Sequence, residues 1–262
     1  MMQASAIEHF AQCLLAARGA RTPLALTACG DALPGNRADA YAIQAAAWRQ
    51  MQGTRRPTAW KIGISPDSIV PVRAALPAVV PNQSRLRRNA FRVIGIEAEI
   101  AVRFGRALPP RPQPYAQSEV IAAIDSAYVA IEIVDTALAD PSAAGPFLRL
   151  ADSMLHGSFV LGERIAAWPD IVRQWHALTA HSHIDGHAVA SGEGSHPLGD
   201  PLSQLAWWAN AGATDWGGIQ AGDLLTTGTW NGMHFAEAPR SFEARFTTAA
   251  GETLGAARVT FS

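Results

Sequence analysis

Phe91-Arg92-Val93-Ile94-Gly95-Ile96-Glu97-Ala98-Glu99-Ile100-Ala101-Val102-Arg103-Phe104 is the stretch that decides the fold. Its side chains alternate: Ile94, Ile96, Ala98, Ile100 and Val102 share one face, and Gly95, Glu97, Glu99 and Ala101 share the other. That period of two is a strand, and the chain around it is strand-rich. Downstream, a proline-rich loop (Leu108 to Pro114) precedes a helix that starts near Ser118-Glu119 and leads to a strand over Tyr128 to Val134. Pro141 to Pro146 reads as a loop, Leu148 to Leu155 as a helical turn, and Ser158 to Leu161 as a strand ending at Gly162. Further strands are expected at Gln174 to Ile184, His187 to Ser191, Leu224 to Thr227, Ser241 to Thr247 and Ala256 to Phe261. Asp185-Gly186 is a hairpin signal, and Pro197 to Asn210 reads as a helix.

Upstream the period changes. Ala4 to Arg18 carries apolar residues at helical spacing and is closed by Gly19. A second helix, Ala38 to Met51, is entered through Asn36-Arg37-Ala38-Asp39 and stops at Gly53. Thr58 to Ile64 is a short strand ending at Ser65-Pro66. The pattern predicts an α+β fold in which a mainly helical region, residues 1–80, packs on a mixed-β core, residues 81–262, as effectively one compact unit. No Gly-rich nucleotide loop opens a helix.

Composition narrows the chemistry. A chain of 262 residues that is 48% apolar can bury a core without a disulfide or metal staple. Cys13 and Cys29, lone thiols without a CxxC spacing, and a start that lacks a basic n-region predict a cytoplasmic protein. The apolar stretches are broken well short of a bilayer span, which predicts no membrane partner, and a net charge of −1 offers nucleic acid no footprint. Small-molecule chemistry remains. Of the 21 basic residues all but one are arginine, the exception being Lys61. One reading is GC-rich codon usage with a single lysine surviving by chance; the other is that Lys61, between Trp60 and Ile62 on a strand, is a point charge whose pKa moves on burial, so chemistry requires it.

Glu97 and Glu99 point to one face of their strand, about 7 Å apart along it. Glu132 lies in the apolar run Val129-Ala130-Ile131-Glu132-Ile133-Val134. Three carboxylates grouped out of water need a cation, and hard acids such as Mg²⁺ or Mn²⁺ suit them. The wet face of an edge strand is the alternative for Glu97 and Glu99. His176, His181, His183 and His187 lack a zinc context, and Gly192-Glu193-Gly194-Ser195-His196 is not a nucleophile elbow. His156, beside Asp152, reads either as a site residue or as a satisfied core histidine.

Together Trp60-Lys61-Ile62-Gly63, Gly95-Ile96-Glu97-Ala98-Glu99-Ile100, Ala130-Ile131-Glu132-Ile133-Val134-Asp135, Leu150-Ala151-Asp152 and Ala221-Gly222-Asp223-Leu224-Leu225-Thr226-Thr227-Gly228 resemble, in order and spacing, the 2-oxopent-4-enoate hydratase and 4-oxalocrotonate decarboxylase family of the fumarylacetoacetate hydrolase superfamily. The resemblance runs from the second helix to Phe261. It implies a mixed sheet curled into a roll or distorted barrel with flanking helices, with Glu97, Glu99 and Glu132 as ligands of Mg²⁺ or Mn²⁺ and Lys61 as the active-site cation. Asp152 would be a second catalytic group, and Thr227 and Thr229 would lie near the substrate. The implied reaction is hydration of a 2-hydroxypenta-2,4-dienoate in aromatic catabolism; decarboxylation of 4-oxalocrotonate, acylpyruvate hydrolysis and a non-catalytic structural role are the alternatives. A homo-oligomer, associated with a partner pathway enzyme, is also implied. Lys61 would hold the substrate's charge, or relay a proton if burial and the metal depress its pKa.

The chain departs from the family pattern in three places. Ala151-Asp152-Ser153-Met154-Leu155 stands where members often read Ala-Asp-Asn-Ala-Ser, so an apolar group replaces a polar one. Ser65 to Pro81 lacks the glutamine-rich stretch and the Pro-Asp-Phe-Gly that often precede an active-site aspartate, leaving Pro66-Asp67 and Pro77-Ala78-Val79-Val80-Pro81. No His-x-x-Glu pair stands near the N-terminus, which disfavours hydrolysis.

Overall fold

A computed structural model of the chain describes residues 1–30, 33–64, 70–166, 168, 170–193 and 196–262. Two helices come first, α1 (Ala4–Ala20) and α2 (Arg37–Gln52). The Asn36 side chain accepts from the Asp39 amide and its Nδ2 donates to the Asp39 carboxylate, so the entry signal of α2 is a working N-cap. At α1 the expected stop at Gly19 is passed: the helix runs to Ala20, and Arg21 takes the left-handed cap with φ 56°.

Next come β1 (Ala59–Ile64), β2 (Pro71–Ala75), β3 (Val79–Pro81), β4 (Ser84–Leu86), β5 (Gly95–Phe104), α3 (Gln117–Ile121), β6 (Ile124–Val134), α4 (Pro146–Ala151), β7 (His156–Arg164), β8 (Thr179–Ile184), β9 (His187–Glu193), α5 (Leu205–Trp207), β10 (Leu224–Phe235), β11 (Ser241–Thr247) and β12 (Thr253–Phe261). They build a seven-stranded sheet ordered β2-β1-β10-β5-β6-β7-β3 and a five-stranded sheet ordered β4-β12-β11-β8-β9. Both are mixed: β1 runs parallel to β10, β3 to β7 and β4 to β12, and the other pairs are antiparallel. This is the expected α+β fold with a curled mixed sheet.

The alternation of β5 sets the layers. Ile96, Ile100 and Val102 meet Ile131, Phe242, Phe246 and Val259, all fully or nearly fully buried, so the apolar face of the larger sheet lies against the smaller one. Glu97 and Glu99 take the opposite face. A second apolar cluster joins α1 and α2 to Val72, Leu138 and Leu150, placing α4 and the helices beside that opposite face. Among the described residues no helix is long and apolar enough to cross a membrane.

Several boundaries differ from the sequence reading. The strand expected from Gln174 begins only at Thr179, because residues 170–177 form tight turns that bury Trp175 against Trp168 and Trp230. The helix expected over Pro197 to Asn210 reduces to α5 and a wide turn at Trp208–Gly212, where a Cβ on Gly212 would sit 2.6 Å from the Trp208 ring. The strand expected over Leu224 to Thr227 continues to Phe235 as β10, with Gly228 (φ 94°) and Gly232 (φ 88°) at bulges that shift its register against β5. Asp185-Gly186 does turn β8 into β9, both residues having positive φ. Ser65-Pro66, Asp67 and Ser195 lie outside the described residues.

Candidate metal centre

β5 and β6 pair with Glu97 opposite Glu132 and Glu99 opposite Ala130, so cross-strand neighbours bring the third carboxylate to the two already sharing a face. One oxygen from each of Glu97, Glu99 and Glu132 lies within 4.8 Å of the others. No second group of three such side chains converges among the described residues, the histidines of β8 and β9 included. β10 lies between β5 and β1, and its parallel register with β1 sets Thr226 beside Lys61 on the same face.

The contacts are dense. Lys61 Nζ donates to Glu132 Oε2 at 2.5 Å and to the Met154 carbonyl at 3.2 Å. His156 Nδ1 lies 3.0 Å from Glu132 Oε1. The Thr226 hydroxyl donates to Glu99 Oε2. Glu99 Oε1 is buried with no partner. Burial and the neighbouring Glu132 push Glu97 up to about 8 and hold Glu99 well above the usual carboxylate range. Burial would raise Glu132 too, but the Lys61 ammonium and His156 outweigh it and hold this acid below its ordinary value. For Lys61 burial works downward, and the three glutamates more than offset it, so the pKa rises rather than falls. Without a cation the ammonium is therefore a firmly charged donor. Burial lowers His156.

A divalent cation fits this donor set. Three oxygen ligands converge, one buried carboxylate oxygen has nothing to bind, and two of the acids are held protonated for want of positive charge.

The residues proposed around the cluster part company. Asp152 is buried, but its carboxylate accepts from Arg18 Nε (2.8 Å), the Thr136 hydroxyl (2.5 Å) and the Ala137 amide (3.0 Å). It makes no hydrogen bond to Lys61 or to the glutamates among the described residues. Arg18 also donates to the carbonyls of His156 and Asp135, tying α1 to the ends of β6 and β7. The Thr227 hydroxyl donates to the Ile100 carbonyl, whereas Thr229 stands opposite Glu99 with its hydroxyl on the Gly232 carbonyl. Gly222-Asp223 closes a turn into β10: the Asp223 amide donates to the Gln220 carbonyl, and the Asp223 carboxylate is held bidentate by Arg56 at 2.7 Å.

Sequence reasoning passed over Thr226, Arg18 and the Met154 carbonyl. The first was legible from alternation, since Thr226 and Thr227 cannot share a face. The last rests on an unusual backbone: Ser153, Met154 and Leu155 all have positive φ, at 52°, 54° and 64°. Three consecutive left-handed non-glycine residues store strain beside a site, and they occupy the segment that departs from the family pattern. Met154 also closes over β1, where a Cβ on Gly63 would lie 3.1 Å from Met154 Cε. Between 70 and 81 the described chain offers no acid at all; Leu76 is buried there instead.

These features belong to a known class: the family model described as Fumarylacetoacetate (FAA) hydrolase C-terminal matches residues 39–261, and the chain is a member of that family. Curated relatives named 2-keto-4-pentenoate hydratase, from Paraburkholderia phymatum and Burkholderia vietnamiensis, are each 32% identical over 167 residues, 64% of this chain. The match spans only 60% of their own length. Among solved structures, 4-oxalocrotonate decarboxylase from Pseudomonas putida G7, complexed with magnesium and adipate, has a TM-score of 0.81 at 21% identity, covering 100% of this chain and 99% of that one. Fumarylpyruvate hydrolase from Pseudomonas aeruginosa, in complex with Mn2+ and pyruvate, has a TM-score of 0.53 at 15% identity over 79% of this chain and 89% of its own.

Proposed function

We propose that the protein is a divalent-metal-dependent lyase that hydrates a 2-hydroxypenta-2,4-dienoate to a 4-hydroxy-2-oxo acid. The observation that carries this reading is the convergence of Glu97, Glu99 and Glu132 with the chain's single lysine, leaving Glu99 Oε1 unpartnered. The names of the curated relatives favour hydration, and the magnesium, calcium and Mn2+ in solved relatives favour a divalent cation, for which we take Mg²⁺ or Mn²⁺. Glu97, Glu99 and Glu132 would hold the ion, which supplies a Lewis acid for the carboxylate and 2-oxygen of a 2-oxo acid.

The chain's own groups do the rest. Lys61, charged and buried, meets the substrate's carboxylate or the negative charge that develops on its 2-oxygen. Ketonisation places a proton on C5, and water then adds at C4. Thr226 fixes Glu99 and His156 fixes Glu132, so the carboxylates are aimed before anything binds. Asp152 acts at one remove: with Arg18 it clamps the backbone on either side of the Met154 carbonyl that Lys61 touches. Thr229, opposite Glu99, is the threonine on the substrate's side.

The test is turnover by the Mg²⁺-loaded protein of 2-hydroxypenta-2,4-dienoate, followed as loss of the dienol absorbance and abolished by chelation. Glu132→Gln should bind Mg²⁺ far more weakly; titration like the parent's would mean the ligand set is wrong. Carbon dioxide from 4-oxalocrotonate without hydration, or pyruvate from an acylpyruvate, would replace hydration with those reactions. No turnover of any of the three would leave a structural role and overturn the reading.

A further inference from the structure

β1 has two faces, and only one belongs to the glutamate cluster. Lys61 points to that face, so Trp60 and Ile62 point to the other. Arg73 on β2 pairs with Ile62 and shares the reverse face. There, between α2 and the β1–β2 edge, lies a cavity of about 510 Å³ walled by Tyr41, Trp48, Trp60, Arg73, Asp215 and Trp216.

The wall combines aromatic rings with a buried cation, Arg73. The Arg73 guanidinium lies 4.5 Å from the Tyr41 ring centroid and 5.7 Å from that of Trp60, with a side chain only 7% exposed. Its hydrogen bond to protein runs from Nη2 to Asp215 Oδ2, at 2.7 Å. The Asp215 side chain is 71% exposed, so the carboxylate on this buried cation comes from the solvent side and can swing away.

A guanidinium met here by an exposed carboxylate suits a ligand that brings a carboxylate of its own. The aromatic walls favour a planar ring, and the guanidinium favours a carboxylate, which can be bound through two parallel N–H groups. We propose that this cavity is a second small-molecule site, separate from the glutamate cluster, that takes an aromatic carboxylate on Arg73 in place of the Asp215 side chain. The site lies directly behind Lys61, one strand thickness from the proposed metal centre, and its occupancy does not depend on which reaction the front face performs.

Benzoate is the probe, titrated calorimetrically into the full chain loaded with Mg²⁺. One saturable site is expected, with acetate binding more weakly for want of the ring. Arg73→Met should weaken benzoate by about tenfold or more, the loss of one charge-assisted pairing. Asp215→Asn removes the internal competitor and should tighten it by about threefold or more. Lys61→Met should leave the affinity unchanged, because its side chain lies on the other face. Binding lost in Lys61→Met would place benzoate at the front face and overturn the proposal, as would the absence of saturable binding or an affinity indifferent to Asp215→Asn. The last variant decides alone if Arg73→Met does not fold, since Asp215 is exposed.

Discussion

Asp152, just after α4, and Glu99, in the central strand β5, are both carboxylates taken out of water, 2% and 0% exposed. Asp152 is surrounded by three donors, one of them the Arg18 guanidinium. Burial still raises its pKa, and Arg18 and Thr136 offset part of that. Glu99 has one donor, Thr226, two carboxylate neighbours and a bare oxygen. A buried carboxylate costs several kcal/mol unless its charge is met. The chain meets that cost at Asp152 with its own arginine and leaves it unmet at Glu99. The first arrangement is complete as it stands and fastens α1 to the sheet. The second is incomplete without added positive charge, which is why it is the candidate site.

The sharpest way to break this contrast is at Lys61, the cation that the under-neutralised cluster does possess. Lys61→Arg keeps the charge but replaces a compact proton carrier with a larger guanidinium that does not deprotonate near neutral pH. Turnover of the dienoate should fall by roughly 100-fold to 10,000-fold, as expected for loss of one positioned acid or electrostatic group. Circular dichroism should report an unchanged fold. Near-parent kcat in this variant would make the lone lysine a product of codon usage.

Asp152→Asn tests the opposite member. Breaking a buried, hydrogen-bonded ion pair strands Arg18 and should cost about 3 kcal/mol of stability, read as a lower Tm. Mg²⁺ affinity should stay within about threefold of the parent. A variant that loses Mg²⁺ binding while keeping its Tm would move Asp152 into the metal centre.

Much of this was legible in the sequence, for a physical reason. Alternation in β5 is set by the pleat, so Glu97 and Glu99 had to share a face, and an acid in the run around Glu132 had to be buried or bound. What the sequence could not carry was register. Glu132 stands opposite Glu97 through the register of two consecutive strands, and Lys61 beside Thr226 through a pairing between strands distant in the chain. Arg18 and Asp152 are separated by 134 positions, and nothing local announces their pairing. Gly19 reads as a helix end because glycine so often is one, yet α1 runs past it, and β10 runs on through Gly228 and Gly232. Tertiary burial outweighs a local preference worth about 1 kcal/mol.

Titration gives a smaller effect that sharpens the same contrast. In the metal-free protein Glu97 is raised to about 8, above its unfolded value near 4.5. The native state therefore holds a proton that the unfolded chain has released, and metal-free stability should decline as pH rises from about 4.5 to 8. A bound divalent ion displaces that proton, so Mg²⁺ affinity should increase over the same range. Thermal melts with and without Mg²⁺ at pH 6 and pH 8.5 would check both signs. A Mg²⁺-induced rise in Tm that is larger at the lower pH would contradict the protonated cluster.

The finest comparison uses two adjacent threonines. Thr226 and Thr227 are equally buried, but the first holds Glu99 and the second the Ile100 carbonyl on the apolar side. Valine matches threonine closely in shape, so each substitution removes a hydroxyl and little else. Thr227→Val leaves a backbone carbonyl unmet and should cost roughly 1 kcal/mol of stability, with kcat and Mg²⁺ affinity unchanged. Thr226→Val frees Glu99 Oε2 to turn. Losing an outer-shell partner of this kind typically weakens a metal site by about tenfold or more, and the weakening should appear in Mg²⁺ titration before it appears in Tm. If both variants behaved alike, the face that Thr226 shares with Lys61 would carry no function, and the cluster would be a buried acidic patch without an aimed ligand.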